Sequence, residues 1–311
     1  MSRTTSKIIL SSWREKTQRQ YSIYLKRYER FCKTKNADPF DRNEKTLIAF
    51  LTDMYKKKYG YSAINTARAA VSSVNDVGSH PPVCRFMRGV FNLRPSCPRY
   101  TYIWDVSLVL KYLRTLAPST GLKLQSLSAK LATLCALVTG HRCQTFHAMD
   151  IKHRQISEGK AKFHIAPLLK TNSPKNPIST ITLRAYREDR RVCVFTCLKL
   201  YLKRTKHLRS TTQLFISNYS PHSAVTKDAL ARWIKSMLNK AGTDTNVYKA
   251  HSTRAAASSA AARSIDIAQV IKTAGWSREQ TFAKFYNKPV QTESASAQFA
   301  NSVLNSKSVS L

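Results

Sequence analysis

The sequence predicts a mainly α-helical chain in two domains, the second of which holds one small antiparallel β-sheet and is therefore α+β. Three observations carry this. Apolar side chains recur at helical spacing in successive segments across residues 12–92. Residues 94–101, RPSCPRYT, contain two prolines and no apolar period, which marks a linker with a boundary near residue 98. Beyond the linker, the short segments 151–156, 161–168 and 178–183 alternate or run apolar between turn-forming residues, and so read as a three-stranded antiparallel meander set among helices.

The first domain, 1–98, reads as an all-helical bundle. Trp13, Tyr21, Tyr24, Leu25, Tyr28, Phe31 and Cys32 follow a helical period over 12–35. Asn43 or Asp41 is placed to cap a second helix at 44–58, and Ser62 a third at 63–76; a fourth, 83–92, follows His80-Pro81-Pro82. Basic residues fall between the apolar ones: Arg14, Lys16, Arg19, Lys26, Arg27 and Arg30 on the first helix, and Arg85, Arg88 and Arg94 near the last. A single charged helix face is most often just solvated. Repetition over several helices favours a surface that faces a polyanion.

The second domain, 99–290, resumes with helices at 104–116 and 126–140, the latter carrying Leu131, Leu134, Cys135, Leu137 and Val138 towards a core and ending at Gly140. Phe146 to Ile151 lead into the first strand of the meander. Helices at 194–208 and 225–240 read as scaffold, with Phe215-Ile216-Ser217 as a short apolar bridge between them. The tail, 291–311, is rich in Ser, Ala and Gln, and is expected to hold a short helix near 296–304 that reaches a neighbouring subunit.

Composition narrows the partners. Of 311 residues, 52 are Lys or Arg and 17 Asp or Glu, a formal charge of +35, so nucleic acid is the first partner to consider. Residues 1–98 hold +12 of this and 99–311 hold +23, which excludes a basic tail on a neutral enzyme. The seven cysteines are scattered and form no C-x-x-C pair, as expected of free thiols in a reducing compartment. Cys193, Cys197 and His207 lack a second ligand pair at zinc-finger spacing, so buried thiols are expected there and no metal. Neither a long apolar run nor a charged-then-apolar leader occurs, which points to a soluble intracellular protein without a membrane span.

The chemistry is concentrated in residues 251–289. His251 and Arg254 stand three apart at the start of an alanine-rich helix, a spacing that puts both on one face. Trp276 follows a glycine in Gly275-Trp276-Ser277, and Tyr286 closes an aromatic group with Phe282 and Phe285 before Asn287-Lys288-Pro289 ends the helix. An imidazole, a guanidinium, an indole N–H and a phenol suit the gripping and attack of a phosphodiester without a metal. Singly, each has an ordinary reading: Tyr286 and Trp276 as core aromatics, His251 as a satisfied helix histidine. The ordered set is harder to obtain by chance.

That set resembles the signature of the tyrosine recombinases, the lambda integrase family: His-x-x-Arg, then Gly-His/Trp, then the tyrosine nucleophile. The interval from Trp276 to Tyr286 is one residue longer than in most bacterial members. Upstream, Thr139-Gly140-His141-Arg142 is similar to the family's Thr-Gly before its first catalytic arginine, which maps to Arg142; where the family often has glutamate three residues later, this chain has Thr145. The family's lysine on the second turn of the meander maps to Lys170, with Lys175 as the alternative.

The resemblance implies the recombinase catalytic fold behind a helical core-binding domain. It also implies DNA cleavage and rejoining through a 3′-phosphotyrosyl intermediate, with no cofactor and no metal. Arg142 and Arg254 would hold the phosphate oxygens, Tyr286 attack phosphorus, His251 take the phenolic proton, Lys170 protonate the departing 5′ oxygen, and Trp276 offer its N–H to the phosphate. The implied partners are double-stranded DNA and three further copies of the chain, a homo-tetramer on two DNA sites. Gly275-Trp276-Ser277 and Thr281-Phe282-x-x-Phe285-Tyr286 are most similar in wording to recombinases of eukaryotic DIRS-like and Crypton mobile elements, which implies a nuclear setting. Two other readings stay open: a type IB topoisomerase-like nicking-closing enzyme, which would not exchange strands between duplexes, and a domesticated DNA-binding protein without catalysis.

Overall fold

The structure, a computed structural model, describes residues 2–169, 172, 179–276 and 279–290. Lys170, Lys175, Ser277 and the tail 291–311 lie outside the described residues. The chain divides into two units, Met1–Pro98 and Arg99–Leu311.

The first unit is helical: α1 (Arg3–Ser11), α2 (Glu15–Thr34), α3 (Glu44–Lys56), α4 (Tyr61–Asn75) and α5 (Pro81–Leu93). Tyr28 and Cys32 of α2, Leu47, Phe50, Leu51 and Met54 of α3, Ile64 and Val71 of α4, and Val83, Met87 and Val90 of α5 share one buried core. Tyr28 meets Phe50 edge-on at 5.2 Å, so these aromatics fill the interior. Asn43 caps α3, its side chain accepting from Lys45 N at 2.9 Å, whereas Gly60 rather than Ser62 precedes α4.

The unit departs from expectation at α1 and at Arg94 as well. α1 was not anticipated, because its only apolar run, Ile8-Ile9-Leu10, has no helical period; all three side chains are exposed, and Ser2 caps the helix. Trp13 accordingly lies in the turn before α2, against Tyr21. Arg94 does not face outward: it donates to Tyr59 O at 2.6 Å and stacks 4.1 Å from the Tyr55 ring centre, and so serves the bundle itself. The other basic residues named above for this unit are exposed.

The second unit has α6 (Val106–Thr115), α7 (Leu124–Thr139), α8 (Cys143–His147), the strands β1 (Arg154–Ser157), β2 (Lys160–Ile165) and β3 (Ser179–Arg184), then α9 (Val194–Thr205), α10 (Lys227–Lys240), α11 (Ser252–Ala261), α12 (Ile267–Ala274) and α13 (Glu279–Phe285). The sheet runs β1-β2-β3, antiparallel throughout, with Phe163 opposite Ile181 and Ala161 opposite Leu183. Those four side chains and Ile165 are buried while their neighbours face out, the period-2 pattern of a half-covered sheet. α7 is apolar on nearly every side and is surrounded by α9, α10, α11 and β3. Burial of Leu127, Leu131 and Leu134 is worth about 2 kcal/mol each. Its one lysine, Lys130, is buried too, with Nζ donating to Leu116 O at 2.9 Å and Ser119 Oγ at 3.0 Å; desolvation lowers its pKa.

The stretch after Arg142 also departs from expectation. Phe146 sits in the short helix α8, and Ile151–His153 form a 3-10 turn before β1, so the approach to the sheet is helical. Phe146 and Met149 are spaced three apart and both buried, a helical spacing that a run of only six residues does not separate from a strand. Cys193 and Cys197 are buried, and the Cys193 thiol caps α9, accepting from Thr196 N and Tyr186 N. Among the described residues, no helix is long and apolar enough to cross a membrane.

Candidate active site

Two helix ends meet at the site. α7 stops at Gly140 (φ 62°) and α12 at Gly275 (φ 68°), each in the left-handed conformation that glycine adopts without strain. The turns are also pressed together. A Cβ on Gly140 would lie 3.3 Å from the Cβ of Ala274, and one on Gly275 would lie 3.2 Å from Cε1 of His141. The first turn presents Arg142, half-buried at the start of α8; the second presents Trp276, 8% exposed.

Arg254, on α11 and 1% exposed, closes both turns. Its Nη1 donates to Gly140 O at 2.6 Å and to Ala274 O at 2.8 Å, carbonyls at two helix C-termini where a positive charge is favoured. The guanidinium carbon stands 3.9 Å from the Trp276 ring centre and 5.4 Å from that of Tyr286. Burial, then the nearby charge of Arg142, lower its pKa, with Tyr286 opposing. Its Nε and Nη2 and the indole Nε1 of Trp276 are buried without a hydrogen-bond acceptor among the described residues. Leaving a donor in that state costs about 1–3 kcal/mol, more on a charged group, and an anion accepting from all three would relieve it.

The phenol and the imidazole complete the group. Tyr286 directly follows α13 and is half-buried against Trp276, ring centres 4.9 Å apart. Its Oη lies 3.4 Å from Nε2 of His251, the exposed N-cap residue of α11, and the two rings meet edge-on at 6.1 Å. A separation at the long end of hydrogen-bond range is common where a catalytic contact tightens only with substrate present. Desolvation by the surrounding protein, followed by the charges of Arg142 and Arg254, lowers the His251 pKa, so the ring is neutral at physiological pH and able to accept a proton.

No family model and no curated protein sequence matches the chain. Solved structures do. The chain is similar to XerH site-specific recombinase bound to a palindromic difH substrate, with TM-score 0.61 and 16% identity over 91% of this chain and 78% of that one. It is similar to a lambda integrase tetramer bound to a Holliday junction, with TM-score 0.56 and 15% identity over 92% and 76%. It is also similar to the Tn1549 transposon integrase in complex with transposon right end DNA, with TM-score 0.53 and 14% identity over 84% of each chain. The chain has the tyrosine recombinase fold.

Within this tyrosine recombinase fold, Arg254, Trp276 and Tyr286 are in mutual contact, His251 joins them through Tyr286, and Arg142 acts on His251 and Arg254 through its charge. Lys170 and Lys175, between β2 and β3, are outside the described residues. Thr145, where the family often has glutamate, is buried and meets Arg142 through the backbone, its N–H donating to Arg142 O at 2.8 Å.

Two contributors were passed over in the sequence. His141, beside Arg142, packs on Gly275; burial and then the charges of Arg254 and Arg142 push its pKa down to about 4. Ser259 is buried on α11 and donates through Oγ to Tyr286 O at 2.6 Å. The adjacency of His141 to Arg142 was visible in the sequence. Nothing local distinguished Ser259 from its neighbour Ser258.

Proposed function

We propose that this protein is a site-specific DNA recombinase or integrase that cleaves and rejoins DNA through a 3′-phosphotyrosyl link. The observation that carries the reading is the set of three buried, unpartnered N–H donors, Arg254 Nε and Nη2 and Trp276 Nε1, beside a phenol within reach of a neutral imidazole. A non-bridging phosphate oxygen satisfies such donors, and their charge opposes the negative charge that builds on the phosphorane. Tyr286 Oη forms the bond to phosphorus as the P–O5′ bond breaks. Its proton passes to His251 Nε2, and Lys170, or Lys175 in its place, protonates the leaving 5′ oxygen. Arg142 supplies the second guanidinium. Because the ester is kept in the protein link, rejoining consumes neither ATP nor a metal ion.

The partner is double-stranded DNA, in keeping with the charge of +35, and the working assembly is a homo-tetramer on two sites, by analogy with the lambda integrase tetramer on its junction. The setting we favour is integration or excision of a mobile element, for which the transposon integrase is a structural parallel and the DIRS-like and Crypton wording of 275–286 the sequence parallel. That wording favours a nucleus as the setting.

The test begins with selection of bound duplexes from a random pool, followed by incubation with end-labelled winners. The parent should form a DNA adduct that survives denaturing electrophoresis, and Tyr286→Phe should bind the same duplexes without forming one. An adduct in Tyr286→Phe would remove Tyr286 from the role, and no adduct in the parent would leave a DNA-binding protein. Strand exchange between two duplexes separates a recombinase from a nicking-closing enzyme.

A further inference from the structure

Five residues at the start of the second unit, Tyr100 to Trp104, touch both of the segments whose side chains meet in the site. On the tyrosine side, Lys288 Nζ donates to Tyr100 O at 2.9 Å and stands 5.4 Å from the Tyr100 ring centre. Ile103 N donates to Pro289 O at 2.9 Å, and Ile103 pairs with Val290 in a parallel bridge. On the histidine side, the buried Trp104 donates through Nε1 to Oγ of Ser252, the residue after His251, at 2.8 Å. Ser259 links the two from within, since its Oγ donates to Tyr286 O and accepts from Lys288 N at 3.0 Å.

Tyr286 and His251 are therefore both registered against one strap. On the histidine side the register is a buried contact at the base of α11. On the tyrosine side, the first side chain past Tyr286 to hold the strap is Lys288, which is half-buried and bonded through a charged donor. Tyr100 itself is half-buried and packs on Tyr248 at 5.3 Å between ring centres; Tyr248 in turn donates to Tyr102 O at 3.3 Å. The strap thus has its own anchor and can serve as a fixed reference.

We propose that Lys288 is a positioning residue for the nucleophile: by holding the segment after Tyr286 on the Tyr100–Trp104 strap, it keeps the phenol oxygen within reach of His251. This rests on the reading of Tyr286 as nucleophile and His251 as its proton acceptor. Geometry of this kind acts on the rate of attack and leaves DNA affinity alone, because reacting groups held about an ångström out of line lose orders of magnitude in rate.

Lys288→Met keeps the aliphatic stem and removes the donor; Lys288→Arg restores one. Hydrogen exchange of the DNA-free full chain reads the latch directly. In Lys288→Met, amides of 279–290 and 99–104 should exchange about tenfold faster, the scale of one lost charge-assisted hydrogen bond, while those of 124–139 stay unchanged and Lys288→Arg returns to the parent rate. Adduct formation on DNA should slow about tenfold or more in Lys288→Met at an unchanged Kd, and recover in Lys288→Arg. Unchanged exchange at 279–290 overturns the latch whatever the enzyme does. Faster exchange with an unchanged adduct rate overturns the positioning role. An adduct that persists in Tyr286→Phe overturns the proposed function instead, and the exchange result still decides the latch.

Discussion

Tyr286 Oη lies 3.4 Å from His251 Nε2, although the two residues are 35 positions apart and sit on different elements. The imidazole there is held neutral by desolvation and by two arginines, so the contact pairs a phenol with a proton acceptor already in its basic form.

The pH dependence of cleavage should report His251. Its pKa in the folded chain is below the ordinary histidine value, so the basic form persists as pH falls through ~6.5 and is lost only at lower pH. Adduct formation should therefore stay flat from neutral pH to below that value and then decline. His251→Gln should be slower by about 10²–10⁴-fold and lack the acidic decline. A decline centred at or above the ordinary value would contradict a desolvated, arginine-flanked base.

Arg254 should matter to both stability and chemistry, and substitutions should separate the two. Arg254→Ala leaves the Gly140 and Ala274 carbonyls without their donor, and should destabilise the chain by about 2–4 kcal/mol in urea unfolding. Arg254→Lys keeps a charge and a donor for those carbonyls but cannot reproduce Nε and Nη2; it should lose less stability than alanine and still cut cleavage by roughly 10²-fold. Equal cleavage by Arg254→Lys and the parent would mean that the unpartnered donors do not meet phosphate.

His141 should make stability depend on pH. Its folded pKa, about 4, is below the unfolded value of ~6.5, so between these limits the unfolded chain binds more protons and stability falls as pH is lowered. The loss attributable to this one group is about 3 kcal/mol across the window. Urea unfolding at pH 7 and near pH 4 should show the parent losing that much more than His141→Gln. Identical losses would place His141 in a more solvated setting than the one it has between Gly275 and the arginines.

DNA affinity should follow charge. The logarithm of the binding constant should decrease linearly with the logarithm of salt, by about 0.9 per phosphate contacted. Arg85 and Arg88 are exposed on α5, and their joint replacement by glutamine should make the slope shallower by about 1–2 without changing the thermal midpoint. An unchanged slope would take that face of α5 out of the DNA-binding surface.

The sequence by itself determined the fold class and most of the elements, because the spacing of apolar residues records which face of a segment is buried. α7, β2 and β3 were legible for that reason, β1 from the turn that joins it to β2, and Asn43 as a cap from its chemistry and position. α1 and α8 were not: one buries no side chain, and the other is too short for a period to show. Residue types suited to phosphodiester chemistry were also visible along the chain. Their arrangement was decided only in the tertiary structure. Arg254 meets carbonyls 114 and 20 positions away, and those two bonds, with its burial, determine which of its donors are left facing the site. Arg94, in a row of outward-facing basic residues by sequence, turned inward because the Tyr55 ring and Tyr59 carbonyl lie within its reach. The neutrality of His141 and His251 likewise comes from packing and from charges brought close by folding, and local sequence carries no record of either.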